Sequence, residues 1–79
     1  MRYEFLVAGR VSDTVVAAFP ELDVAPAPGA DTAMFGTVKD KAALRGLLAR
    51  FDDLGLTVLE MRQLPGGSPR GGGQARSDV

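Results

Sequence analysis

Two carboxylates are the residues of this sequence that come closest to catalytic chemistry. Glu4 and Glu60 belong to segments that are predicted as neighbouring β-strands, where they can share one sheet face. Paired carboxylates carry out general acid and base catalysis when burial separates their pKa values. A simpler interpretation makes them solvated groups that pair with Arg2 and Arg62 across the strands. We therefore predict no catalytic residue.

The loop after the first strand is the second candidate. Gly9, Arg10 and Ser12 could form an anion loop, in which backbone amides and a guanidinium surround a negative charge at a helix start. In acylphosphatases the loop after the first strand binds phosphate and contains an arginine. The fuller glycine pattern of that loop is missing from this sequence. The simpler interpretation is a turn that is followed by a surface charge.

The composition excludes several other kinds of site. Cysteine and histidine are absent, which removes disulfides, thiolate chemistry, imidazole catalysis and the usual zinc ligands. With 9 basic and 10 acidic residues, the chain offers no strongly basic face for nucleic acid. We predict no cofactor, no metal and no nucleic-acid partner. No apolar run approaches the ~18 residues of a membrane span, so we expect a cytoplasmic protein that does not use a membrane.

The elements that position these residues follow from hydrophobic patterning. Alternating apolar residues predict strands at residues 2–8, 22–27, 32–38 and 57–64. Helical spacing predicts a short helix that stops before Pro20 and a longer helix between Asp40 and Gly55. After Pro65 the chain offers little to bury, so residues 66–79 are predicted to be a disordered tail rich in Gly, Pro and Ser.

The order of these elements predicts the fold class. Strand, helix, strand, strand, helix and strand over residues 1–65 form an α+β ferredoxin-like sandwich, with two helices on one face of a four-stranded antiparallel sheet. The second strand is then at an edge, which Pro26 and Pro28 support because proline cannot donate to a neighbouring strand. The expected core is apolar throughout: Leu44, Leu47, Leu48, Phe51, Phe5, Val7, Leu59 and Phe19.

The sheet face that the helices leave uncovered is the predicted interaction face. It carries Leu6 together with the charged residues Glu4, Glu60 and Arg62. This mixed character favours a non-catalytic binding or protein-interaction module that forms a homodimer through the open face, with another protein or a small ligand as further partners. The alternative is a small dimeric ferredoxin-like enzyme, whose pocket lies between the sheet and the helices.

The predicted topology and the glycine after the first strand are similar to ACT-like regulatory modules. That resemblance covers residues 1–65 and implies a small ligand, such as an amino acid, at a domain interface. The segments at residues 9–13, 18–22 and 40–48 also resemble a group of short stand-alone actinobacterial proteins. The second resemblance implies the same fold and no particular activity.

Overall fold

A computed structural model describes residues 1–65, and the predicted tail at 66–79 lies outside the described residues. The elements begin and end within two residues of the predicted positions. A 3₁₀ turn at Pro28–Ala30 joins the second strand to the third. In chain order the elements are β1 (Arg2–Val7), α1 (Asp13–Ala17), β2 (Asp23–Pro26), β3 (Thr32–Thr37), α2 (Lys41–Asp53) and β4 (Val58–Leu64).

The four strands form one antiparallel sheet in the order β2-β3-β1-β4. β1 and β3 are central, and β2 and β4 are the edges. On one side of the sheet, Phe5 and Met34 pack in a single cluster with Leu47 and Phe51 of α2. The predicted α+β ferredoxin-like class, with an open sheet and two helices, is confirmed.

The core lies between the sheet and the helices. The ring centroid of Phe51 is 4.6 Å from that of Phe19 and 5.1 Å from that of Phe5. Three aromatic side chains therefore form the centre of the core. Leu44 and Leu48 are only partly buried against this cluster. The buried cluster consists of Phe5, Val7, Phe19, Leu22, Met34, Val38, Leu47 and Phe51.

Leu59 is a correction to the predicted core, because its side chain is 52% exposed. Leu6 lies opposite Glu60 whereas Val7 lies opposite Val58, so Leu59 is an extra residue in β4 at a β-bulge. The bulge shifts the alternation of the strand by one position. Val58, and not Leu59, therefore packs against the core.

The helix ends follow the capping residues of the sequence. Asp40 accepts a hydrogen bond from the amide of Ala43 at 2.8 Å and so caps α2. At the other end Gly55 has φ 73°, and the amide of Leu56 donates to the carbonyl of Phe51 at 2.9 Å, which makes a Schellman motif. Within residues 1–65, neither helix is long and apolar enough to cross a membrane.

Candidate functional site

The open face is the side of the sheet that the helices do not cover. Because residues opposite each other in antiparallel strands share a face, the strand register defines two rows across it, each running from β2 to β4. The first row contains Asp23, Phe35, Glu4 and Arg62. The second row contains Ala25, Ala33, Leu6 and Glu60. The structure thus brings together all four residues of the predicted interaction face.

Glu4 and Arg62 form an ion pair on this face. Nε of Arg62 donates to Oε1 of Glu4 at 3.2 Å, and Nη2 donates to the same oxygen. The hydrogen bond to Glu4 is the main reason why the pKa of Arg62 is raised above its ordinary value. In the described part of the chain, no basic group lies within 4 Å of the Glu60 carboxylate. The two carboxylates therefore differ, since one is held by an arginine and the other is not.

A shallow cavity of about 290 Å³ lies on the open face. Leu6 and Ala33 contribute apolar surface, and the segment Pro26–Pro28 forms one wall. Glu60 and Arg62 line it on the β4 side. Ala33 is only 8% exposed although it belongs to the open face. A small apolar floor thus lies beside charges of both signs.

The candidate anion loop lies at one end of the sheet. The amide of Gly9 donates to Oδ1 of Asp31 at 3.0 Å, and Thr32 Oγ1 donates to the carbonyl of Gly9 at 2.7 Å. Ser12 instead caps α1, because its Oγ accepts from the amide of Val15 at 3.2 Å. A carboxylate thus occupies the place where the Gly9 amide would meet an anion.

Arg10 lines a second cavity of about 420 Å³ beside that loop. Its walls are mostly small and apolar, and they come from α1, from β2 and from the start of β3. Asp13 and Asp31 also line it, so charges of both signs are present. Its apolar walls include Val11, Val16, Val24, Ala25 and Ala30.

The space between the sheet and the helices is filled by side chains. Phe5, Phe19, Met34 and Phe51 are fully buried there, and Tyr3 packs against them. The pocket that the enzyme alternative requires therefore receives no support from the packing of residues 1–65. In the same range, no group of three acidic, histidine or cysteine side chains is placed to hold a metal ion.

The sequence interpretation named no residue of β2 or β3 on the open face, to which Asp23, Ala25, Ala33 and Phe35 belong. Phe35 of β3 lies on this face, directly opposite Glu4. Alternation within β3 is a signal that could have found it, because Met34 is fully buried and its neighbours must point the other way.

Comparison with known proteins identifies the family. Neither the curated proteins nor the solved structures provide a match. A family model described as "Domain of unknown function (DUF8691)" matches residues 2–62, a range that begins with β1 and ends within β4. Because the match covers most of the chain, this protein belongs to the DUF8691 family.

Proposed function

We propose that this domain is a non-catalytic protein-interaction module that self-associates through its open face. The observation that carries the proposal is the row of Ala25, Ala33 and Leu6, an apolar strip across the sheet with charged groups beside it. The helices pack on the opposite side, so no element of residues 1–65 covers this strip. A second copy would cover it.

Burial of the apolar strip would supply the binding free energy. Removing apolar surface from water contributes roughly 25 cal/mol per Å², and Leu6 and Phe35 are the large apolar residues of the two rows. Both are only partly buried in the single chain. The surrounding charges are exposed or only partly buried, so they select the orientation of the partner more than they add affinity.

Two-fold symmetry suits the charges of this face. An isologous contact presents the same surface from both copies, so each residue meets the counterpart of its own partner. Asp23, Glu4 and Glu60 can then lie against Arg2 and Arg62 of the second copy. A domain this small buries only roughly 60% of its unfolded surface, so association would also raise its stability.

Sedimentation of the full chain at micromolar concentration tests the proposal. We expect a dimer that Leu6→Lys converts to a monomer, because the new ammonium group would be buried in the strip. Ala49→Lys is the matched control, since Ala49 is exposed on α2, away from the sheet. A monomer for the unmodified chain, or equal association of all three proteins, would contradict the proposal.

Small-ligand binding is a second candidate, and the resemblance to ACT-like modules agrees with it. The supporting observation is the cavity beside Arg10, whose walls are apolar and which carries a guanidinium and two carboxylates on its lining. Thermal shift measurements with a panel of amino acids test it. A ligand that raises the melting temperature of the full chain but not that of Arg10→Ala would support this candidate, and no shift across the panel would remove it.

A further inference from the structure

The two edges of the sheet are protected to different degrees. β2 has four residues and ends at Pro26, which lacks an amide hydrogen for a further strand. β4 has seven residues and contains no proline. It is the outermost strand on its side of the sheet in residues 1–65. A long edge strand without proline presents unpaired backbone groups to any extended segment that meets it.

The side chains of β4 add an apolar component to this edge. Leu59 is 52% exposed and Met61 is 44% exposed, and both rank among the most exposed large apolar residues of the described chain. Met61 lies opposite Phe5, so it belongs to the helix side of the sheet and not to the open face. The proposed open-face contact would therefore leave Met61 uncovered.

The charges of β4 select one way of pairing two copies of this strand. An antiparallel pair that keeps both open faces on the same side can be centred on Glu60, Met61 or Arg62. Only a two-fold axis at Met61 places Glu60 of each copy opposite Arg62 of the other copy. Centring the pair on Glu60 or on Arg62 sets like charges directly opposite each other, which is destabilising.

We propose that the outer edge of β4 binds β4 of a second copy in antiparallel orientation, with the two-fold axis at Met61. The two sheets then form one continuous sheet of eight strands. Arg62 lies between two carboxylates, Glu4 of its own chain and Glu60 of the second copy. Glu60, which has no basic group within 4 Å in residues 1–65, gains one.

The contributions to this contact differ in kind. The exposed ion pairs add little affinity and fix the register, whereas the backbone hydrogen bonds and the burial of Met61 and Leu59 stabilise the pair. The contact uses an edge and leaves the open face free. It therefore goes beyond the proposed function, and neither contact depends on the other.

Site-specific cross-linking tests the edge contact, because the chain contains no cysteine. In the proposed register the two Cβ atoms at position 61 lie about 4.5–5.5 Å apart, close to the span of a disulfide. We expect the full chain with Met61→Cys to form a covalent dimer under mild oxidation with oxidised glutathione. Gln63→Cys is the matched control, since it lies on the same side of β4 and its two copies would be ~14 Å apart.

The outcomes separate this contact from the open-face contact. Leu6→Lys added to Met61→Cys should leave the cross-link in place, because Leu6 lies on the other side of the sheet. Cross-linking through Gln63→Cys as efficiently as through Met61→Cys would overturn the register. If Met61→Cys is folded by circular dichroism but does not cross-link, the edge contact is overturned. The open-face proposal is then still tested separately by sedimentation.

A mixing experiment checks the charge argument independently. Glu60→Arg and Arg62→Glu each place like charges opposite each other in their own edge dimers, but a mixture of the two restores opposite charges at both positions. We expect each variant, with Met61→Cys added, to cross-link several-fold less than the parent, and the mixture to recover. Mixing Arg45→Glu with Asp52→Arg, which lie on exposed α2 surface, is the control for general charge attraction. No recovery in the mixture of folded variants would overturn the register.

Discussion

One guanidinium nitrogen of Arg50 donates hydrogen bonds to both carboxylate oxygens of Glu21. Nη1 of Arg50 donates to Oε1 at 2.9 Å and to Oε2 at 3.0 Å. The same nitrogen donates to the carbonyl of Ala18 at 3.0 Å, and the guanidinium lies 5.2 Å from the ring centroid of Phe19. A single side chain of α2 therefore fixes the connection between α1 and β2 on top of the core.

The first prediction concerns the pH dependence of this contact. The hydrogen bond from Arg50 lowers the pKa of Glu21 and outweighs the opposing effect of desolvation. A carboxylate with a lowered pKa in the folded state stabilises the fold above about 4.3, the ordinary pKa of Glu, and this contribution is lost as the pH falls through the lower folded value. Both side chains are more than one-third exposed, so the contribution is at most about 1 kcal/mol.

Urea denaturation of Glu21→Gln measures that contribution. We expect a lower free energy of unfolding than for the parent near pH 7, and a difference that shrinks as the pH falls through the lowered pKa of the folded-state Glu21 carboxyl group. A difference that keeps the same size as the pH falls would mean that the charge of Glu21 has no part in it.

The second prediction compares two glycines. A Cβ atom at Gly36 would lie 2.8 Å from the carbonyl oxygen of Glu21, in the connection that Arg50 holds. Gly36→Ala should therefore lower the free energy of unfolding by about 1–3 kcal/mol. A Cβ atom at Gly46, inside α2, would meet nothing within 4 Å beyond its own neighbours and the helix backbone, so Gly46→Ala should raise the free energy of unfolding by up to about 1 kcal/mol. Thermal melting of both variants checks the opposite signs.

The third prediction ranks two leucines of α2. Leu47 is 3% exposed in the core, whereas Leu48 is only partly buried against it. Leu47→Ala should cost about 2–5 kcal/mol, and Leu48→Ala should cost clearly less because its surroundings are open to solvent. Chemical denaturation of the two variants measures the difference. Equal losses would show that both sides of the helix are packed to the same degree.

The fourth prediction tests the position of the β-bulge. Leu59 is exposed and Val58 packs against the core, so Leu59→Thr should change the free energy of unfolding by no more than about 0.5 kcal/mol. Val58→Ala should cost more. The measurement is made in dilute protein, where association between chains does not contribute. A large loss for Leu59→Thr would place Leu59 back in the core.

The long helix was predictable because its signals are local. Asp40 at its start, Gly55 after its end and the leucines between them all act within a few residues of sequence, and the structure has the helix where they indicate. The edge position of β2 was predictable for the same reason, since Pro26 cannot donate a hydrogen bond in any context.

The face of β4 was not predictable, because it depends on pairing with a distant strand. The bulge that exposes Leu59 arises from the register between β1 and β4. No residue near Leu59 in the sequence indicates that a bulge forms there. For Phe35 the limit is narrower: alternation within β3 indicates its face, but its position opposite Glu4 follows only from the pairing of β1 with β3. Local sequence predicted that Glu4, Glu60 and Arg62 belong to the open face. Which of them lie opposite each other depends on the pairing of the strands.

Glu4 and Arg62 face each other across β1 and β4 although 58 residues separate them along the chain. During synthesis β1 is therefore complete long before β4, the strand that pairs with one of its two edges. Contacts of such long range slow folding, and they lengthen the time in which an unpaired strand can meet other chains. A nascent chain that stops before residue 58 lacks β4, so one edge of the central strand β1 stays without a partner until the end of the domain has been made.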